Sequence, residues 1–142
     1  MLAGHIAMVL AAAFAGAAFY INFAEHPARL ALDDRNLLKQ WKPSYEAGFT
    51  MQGALAVSSC LLGVLAAWMT QDWRWLIGAV LIVANWPFTL IGIMPTNKKL
   101  KAINEDDAGS DSRALLETWG HLHAVRTVLG IAATLAYLWA LN

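Results

Sequence analysis

Four long apolar stretches, separated by polar connections, account for most of the chain. They comprise residues 2–23, 48–69, 75–94 and 120–141. A helix needs roughly 20 mostly apolar residues to cross about 30 Å of hydrocarbon, and each stretch reaches that length. The first has no Lys or Arg ahead of its apolar run, unlike a signal peptide, so we expect it to remain as a membrane helix. The pattern predicts an all-α integral membrane four-helix bundle that forms a single domain.

The three connections between these stretches differ in character. Residues 24–47 mix charged residues with Leu37, Leu38 and Trp41, a pattern typical of a short amphipathic helix at the membrane interface. Residues 70–74 are short enough for a tight turn. Residues 95–119 contain an acidic run and are predicted to be a solvated loop. The first connection is thus the one expected to hold a further, interfacial helix.

Composition supports a membrane location and narrows the partners. The chain is 58% hydrophobic and 14% charged, whereas a soluble domain usually has about 25% charged residues. Its formal net charge of +0 argues against nucleic acid as a partner. The single cysteine, Cys60, leaves no intrachain disulfide to form. The lipid bilayer and a small hydrophobic molecule are therefore the expected partners, and the oligomeric state stays open.

The positions of Lys and Arg predict the orientation in the membrane. The first and third connections hold eight of the ten, the turn at 70–74 holds Arg74, and the chain ends hold none. The eight are Arg29, Arg35, Lys39, Lys42, Lys98, Lys99, Lys101 and Arg113. By the positive-inside rule, loops 24–47 and 95–119 should face the cytoplasm, with both termini outside. We expect an inner or plasma membrane protein in this orientation.

Each apolar stretch carries polar or aromatic residues at helical spacing near the predicted cytoplasmic side. Asn85 and Thr89 share one face of the third stretch, which Pro87 is expected to kink. The other three stretches contribute Asn22 and His26; Tyr45, Phe49 and Gln52; and Trp119, His123 and Arg126. Because polar groups cost free energy in hydrocarbon, these faces should meet in one pocket open toward the cytoplasm.

These residues also have purely structural explanations. Arg126 could extend to the headgroups or, if buried, pair with Glu46 or Glu25. Hydrogen bonding between helices could account for His26, His123, Asn85 and Gln52. Packing alone, however, does not require polar faces to gather at one end of all four helices. This one-sided distribution favours the pocket.

Several short motifs resemble those of one known family. They are Asn22 with His26-Pro27, Pro87-Phe88-Thr89, Pro95-Thr96-Asn97, and Trp119 with Arg126. Over essentially the whole chain, this combination resembles the anthrone oxygenase-like family of small four-helix membrane proteins. The resemblance implies that a polyketide anthrone is oxidised to an anthraquinone by molecular oxygen, without a recognised cofactor. The positions matching the family's motif are Pro27, Thr89, Asn97, Trp119 and Arg126. Because many relatives have no assigned substrate, the resemblance defines the fold better than the reaction.

The reaction implied by the resemblance has clear chemical needs. An anthrone is flat and apolar, and removal of a proton from the carbon between its rings gives an enolate that reacts with oxygen. The base would be His123 or His26, and Arg126 and Asn97 would stabilise the enolate oxygen, with Trp119 beside them. Substrate-binding positions are expected at Asn22, Tyr45, Phe49, Gln52, Asn85, Trp86 and Thr89.

Two alternatives use the same residues differently. No cofactor is expected for the oxygenase, but His26 and His123 with Glu25 or Glu46 would make a 2-His-1-carboxylate metal site. The two histidines could also hold a haem. The metal or haem site is the first alternative. The second alternative is a non-catalytic membrane module that binds lipid, haem, a metal ion or a partner protein through the pocket.

Overall fold

Four long helices form nearly the whole molecule. The computed structural model describes all residues from Met1 to Asn142. Helix α1 spans Leu2–Leu30, α2 Asp34–Thr70, α3 Arg74–Ala102 and α4 Ser110–Leu141, and each is long and apolar enough to cross a membrane. Successive helices pack against each other and α1 packs against α4, which closes an up-and-down bundle. The predicted fold class is confirmed.

The helices extend further than predicted at one end of the bundle. The amphipathic segment predicted in loop 24–47 is helical, but it is the first part of α2 and continues through Pro43 without a break. The predicted loop 95–119 is also mostly helical, because α3 ends at Ala102 and α4 begins at Ser110. At about 1.5 Å per residue, the 37 residues of α2 reach about 55 Å, well beyond the hydrocarbon thickness. We call this extended end, which carries the eight Lys and Arg residues, the basic end.

Small residues allow close helix packing in the half of the bundle near the chain termini. Gly63 and Gly78 lie against the ring of Tyr137, and a Cβ atom at Gly78 would come within 2.4 Å of that ring. The hydroxyl of Tyr137 donates to the carbonyl of Ser59 at 3.1 Å. Tight packing of small against aromatic residues stabilises this half of the bundle.

A second core stabilises the basic end. It comprises Leu37, Leu38, Trp41, Ile93, Leu100, Leu116 and Trp119. Arg113 of α4 links the α1–α2 connection to this core. It pairs with Asp34, and it donates to the carbonyl oxygen of Leu30 at 2.8 Å and to that of Leu32 at 2.6 Å. Asp33 caps α2 by accepting from the Asn36 backbone N–H, which lowers the pKa of the Asp33 carboxyl.

Two prolines are preceded by wide, π-helical turns. The turn Ile21–Glu25 lies before Pro27 in α1, and the turn Thr89–Ile93 lies before Pro95 in α3. Proline lacks the backbone N–H of a regular helix, and a wider turn accommodates the missing bond. The residues after each turn are therefore rotated from the positions that uniform helical spacing predicts.

Helix α3 is also interrupted just before Pro87. Regular α-helix stops at Val83 and resumes at Asn85, two residues before Pro87. The side-chain amide of Asn85 donates to the carbonyl of Ile82 at 3.1 Å, which satisfies a backbone acceptor next to the break. The kink expected from Pro87 thus coincides with an irregular turn.

Candidate functional site

A cavity lies between all four helices in the half of the bundle nearer the basic end. The space in it that can hold the centre of a water-sized molecule is about 30 Å³. It is lined by Ile21, Arg29, Ser44, Tyr45, Gly48, Phe49, Gln52, Thr89, Ile93, Asn97, Trp119, His123 and Arg126. The polar faces predicted for α2, α3 and α4 meet here, whereas α1 contributes Ile21 and Arg29.

Arg126 is the central charged group of the cavity. Its side chain is almost fully buried, with 8% of the residue exposed. One terminal nitrogen donates to the Thr89 hydroxyl and the other to the Gln52 side-chain oxygen at 2.7 Å. The guanidinium carbon lies 5.5 Å from the ring centroid of Phe14. Arg126 therefore points inward rather than to the headgroups.

The expected pairing of Arg126 with Glu46 or Glu25 is wrong. Glu46 has a side chain that is 62% exposed and pairs with Lys101 on the surface. Glu25 pairs with Arg29 at 2.6 Å, one helical turn away on α1. Both carboxylates thus have local partners, and the acceptors on Arg126 are neutral. A buried cation without a counter-charge is costly, which makes this guanidinium a strong attractor for an anion.

The Glu25–Arg29 pair is a part of the site that the sequence did not reveal. Arg29 lines the cavity and is 3% exposed, and its guanidinium lies 5.7 Å from the centroid of the Trp119 ring. The Ser44 hydroxyl of α2 hydrogen-bonds both members of the pair. The i,i+4 spacing of Glu25 and Arg29 was a usable signal. The apolar pattern ends the first helix at residue 23, before this pair, whereas α1 continues to Leu30.

His123 lies in the cavity wall, and its ring is hydrogen-bonded to Asn22. The Nδ1 atom of His123 is 2.8 Å from the Asn22 side-chain oxygen. Asn22 also donates to the carbonyl of Gly120 at 2.9 Å and accepts from the Thr127 hydroxyl at 2.8 Å. The His123 ring stacks on Trp119 with a centroid distance of 4.9 Å. Asn22, expected to bind substrate, instead supports the imidazole.

His26 does not line the cavity. Its ring is buried against Trp119, with a centroid distance of 5.3 Å, and against Gly120. A Cβ atom at Gly120 would lie 2.5 Å from His26 Nε2, so only glycine fits there. This position behind Trp119 argues against His26 as the base. The alternative metal site of His26, His123 and a carboxylate is not assembled, since no group of three His, Cys, Asp or Glu side chains could hold a metal ion.

Several buried polar atoms at the cavity lack a protein partner. The amide of Asn97, which is 0% exposed, makes no hydrogen bond with either its oxygen or its nitrogen. Free donors also remain on Gln52 Nε2, Arg126 Nε and Trp119 Nε1. Native proteins rarely leave so many buried polar groups unsatisfied in one place. The surplus of donors suits a ligand that brings acceptor oxygens.

Asn85 and Trp86 lie in a second cavity, deeper in the bundle. This space is small, about 10 Å³ for the centre of a water-sized molecule, and it shares Phe49, Gln52, Thr89 and Arg126 with the first cavity. The two positions expected to bind substrate are therefore next to the main cavity and not in it. Arg126 lies in the walls of both cavities.

Comparisons with known proteins identify a family and several relatives of this chain. Residues 41–136 match the family model described as anthrone oxygenase. The chain is 33% identical to anthrone oxygenase tpcL of Aspergillus fumigatus over 100 residues, which cover 65% of this chain and 62% of tpcL. It is 28% identical to anthrone oxygenase dmxR16 of Cryptosporiopsis sp. over 134 residues, covering 86% and 78% of the two chains. It is 31% identical to anthrone oxygenase gedH of Aspergillus terreus over 106 residues, covering 70% and 71%.

These matches define the family. The molecule is a membrane four-helix bundle with a buried polar cavity, and the chain belongs to the anthrone oxygenase family. The match to tpcL spans less than two thirds of that relative's length. No solved structure matches the chain. The family resemblance inferred from the sequence motifs is confirmed.

Proposed function

We propose that this protein is a membrane-embedded oxygenase that acts on a flat, hydrophobic anthrone-type substrate. The observation that carries the proposal is Arg126, a buried guanidinium whose partners are neutral and which lies in a cavity with surplus donors. Such a site stabilises a negative charge that develops on a substrate oxygen. The names of the relatives supply the substrate class, since tpcL, dmxR16 and gedH are each described as an anthrone oxygenase.

The proposed reaction balances without an external reductant. The base removes a proton from the methylene carbon between the two rings, and the electron pair moves onto the carbonyl oxygen to form an enolate. The enolate carbon then bonds to molecular oxygen. Cleavage of the O–O bond leaves one oxygen atom on the carbon as a new carbonyl, and the other leaves as water with the two former methylene hydrogens. Oxygen accepts the four electrons that the carbon loses.

In this mechanism the residues of the cavity have distinct tasks. His123 accepts the proton, because it is the imidazole in the cavity wall. Arg126, with the amides of Gln52 and Asn97, stabilises the enolate oxygen. Trp119 provides an apolar wall against which the flat ring system can pack.

A substrate of three fused rings requires movement of the cavity walls, since the cavity has only about 30 Å³ of space for the centre of a water-sized molecule. Tyr45 and Phe49 of α2 lie between the cavity and an outer groove along the α2–α3 seam, which also includes Lys98 and Lys101. The absence of any atom within 4 Å of a Cβ at Gly48 leaves room for their rearrangement. We propose that substrate reaches the cavity from the membrane interface past these two rings.

The proposal includes an inner or plasma membrane location with the basic end in the cytoplasm. The eight Lys and Arg residues at that end support this orientation. Cysteines at Ser110 and at Gln71, each placed in a Cys60→Ala background, should react differently with a membrane-impermeant maleimide. We expect Gln71→Cys to label in intact cells and Ser110→Cys to label only after permeabilisation. Labelling of both from the same side would contradict the orientation.

Oxygen uptake tests the function itself. Protein purified in detergent should consume oxygen when an anthrone is added and should form the anthraquinone faster than buffer alone does. Anthrones also oxidise slowly without a catalyst, so Arg126→Leu protein at equal concentration is the matched control. A binding module would change the substrate spectrum without consuming oxygen. Uptake no faster than the control would reject the proposal.

A further inference from the structure

We infer that Asn22 is a positioning residue that fixes the tautomer of His123 so that Nε2 is the proton acceptor. The inference rests on the proposed function, because it assigns the supporting group of the proposed base. It starts from the hydrogen bond between the Asn22 side-chain nitrogen and the carbonyl of Gly120 at 2.9 Å. A carbonyl oxygen can only accept, so this contact identifies which end of the Asn22 amide is the NH₂ group.

The orientation of the Asn22 amide determines which ring nitrogen of His123 carries the hydrogen. Because the amide nitrogen faces Gly120, the atom facing His123 Nδ1 at 2.8 Å is the amide oxygen. An amide oxygen only accepts hydrogen bonds, so Nδ1 must carry the hydrogen. In a neutral imidazole the lone pair is then on Nε2. The Thr127 hydroxyl donates to the same oxygen at 2.8 Å, which further holds the amide in this orientation.

The free nitrogen is placed where a base is needed. His123 lines the cavity. Its Nε2 atom makes no hydrogen bond within the protein and is not sealed off by surrounding atoms. Asn22 does not line the cavity, so it acts through the imidazole of His123. It lies in the π-helical turn Ile21–Glu25, and its amide reaches the α4 backbone at Gly120. Residues that orient a metal-bound histidine through its other nitrogen account for a roughly 10- to 100-fold effect, and we expect a similar magnitude for the histidine base.

The tautomer can be measured without activity. Nitrogen-15 NMR of protein with ring-labelled histidine, in detergent micelles, distinguishes protonated from unprotonated imidazole nitrogens. A His123→Gln sample identifies the His123 signals by their loss. We expect Nδ1 to be protonated and Nε2 unprotonated in the unmodified protein. A protonated Nε2 with an unprotonated Nδ1 would overturn the inference, whatever the oxygenase assay shows.

Two variants test the role of the amide. Asn22→Leu keeps the approximate side-chain volume but cannot accept from Nδ1, so we expect mixed tautomers and kcat lower by roughly 10- to 100-fold with KM little changed. Thr127→Val removes the other hydrogen bond to Asn22 and should keep the tautomer of the unmodified protein. An unchanged tautomer and kcat in Asn22→Leu would overturn the inference. If the unmodified protein shows the expected tautomer but no oxygen uptake, the proposed function fails while the assignment of the proton stands.

Discussion

Replacing Arg126 by leucine is expected to lower kcat/KM with an anthrone by at least about 10³-fold while leaving the bundle folded. Removal of a single donor from a site that stabilises an oxyanion commonly costs about 10²–10³-fold, and this change removes the charge as well. Insertion should not suffer, because arginine at the centre of a membrane helix costs roughly 2.5–3.5 kcal/mol on insertion scales. Size-exclusion profiles and thermal unfolding in detergent check the fold, and initial rates check the activity.

Two further variants separate charge from geometry. Arg126→Lys keeps a cation but loses the planar fork that reaches both Thr89 and Gln52, so most activity should be lost. Gln52→Glu places a carboxylate where the Gln52 side-chain oxygen now lies 2.7 Å from the guanidinium. This carboxylate neutralises the positive charge that would bind the anion, so kcat/KM should fall about 10²-fold. Glu46→Gln is the matched control, since Glu46 is exposed and pairs with Lys101. Full activity in Arg126→Leu would show that the arginine does not stabilise the anion.

Replacing His123 by phenylalanine should reduce kcat by about 10²–10⁴-fold, the usual contribution of a positioned general base. Phenylalanine can keep the stacking contact with Trp119 but has no nitrogen to accept the proton. The deficit should narrow at alkaline pH, where the substrate ionises in solution and needs no base. Rates measured across pH for the variant and the unmodified protein test this.

His121→Phe is the control for the histidine variant. His121 is exposed and does not line the cavity, so its replacement should leave kcat unchanged at every pH. A His123→Phe protein with normal kcat at neutral pH would remove His123 from the mechanism. The same result would leave Arg126 as the remaining candidate for chemistry in the cavity.

Sequence alone predicted the helices and the inward position of Arg126 better than it predicted the partners of each side chain. Periodicity places a residue on a face, and the faces of α2, α3 and α4 do meet at the cavity. It does not choose between two acceptors within reach. Arg126 has Thr89 and Gln52 as partners, whereas Glu25 is paired within α1 and Glu46 with Lys101.

The wrong predictions of side-chain position arise where the helices depart from regular geometry. The π-helical turn Ile21–Glu25 contains Asn22, which reaches Gly120, and immediately precedes His26, which packs against Trp119. The interruption in α3 before Pro87 accompanies the placement of Asn85 in the deeper cavity. Uniform spacing of 100° per residue cannot represent either feature. A proline two residues after a polar position was the visible warning in the case of Asn85.

Incorporation of labelled oxygen is the most direct test of the central claim that this protein catalyses the reaction of an anthrone with molecular oxygen. Purified protein would be mixed with an anthrone under ¹⁸O₂, and the anthraquinone analysed promptly by mass spectrometry. The account predicts rapid formation of product that carries one labelled oxygen atom, with Arg126→Leu protein no faster than buffer. Product that forms no faster with the protein than without it, or that forms without the label, would contradict the account.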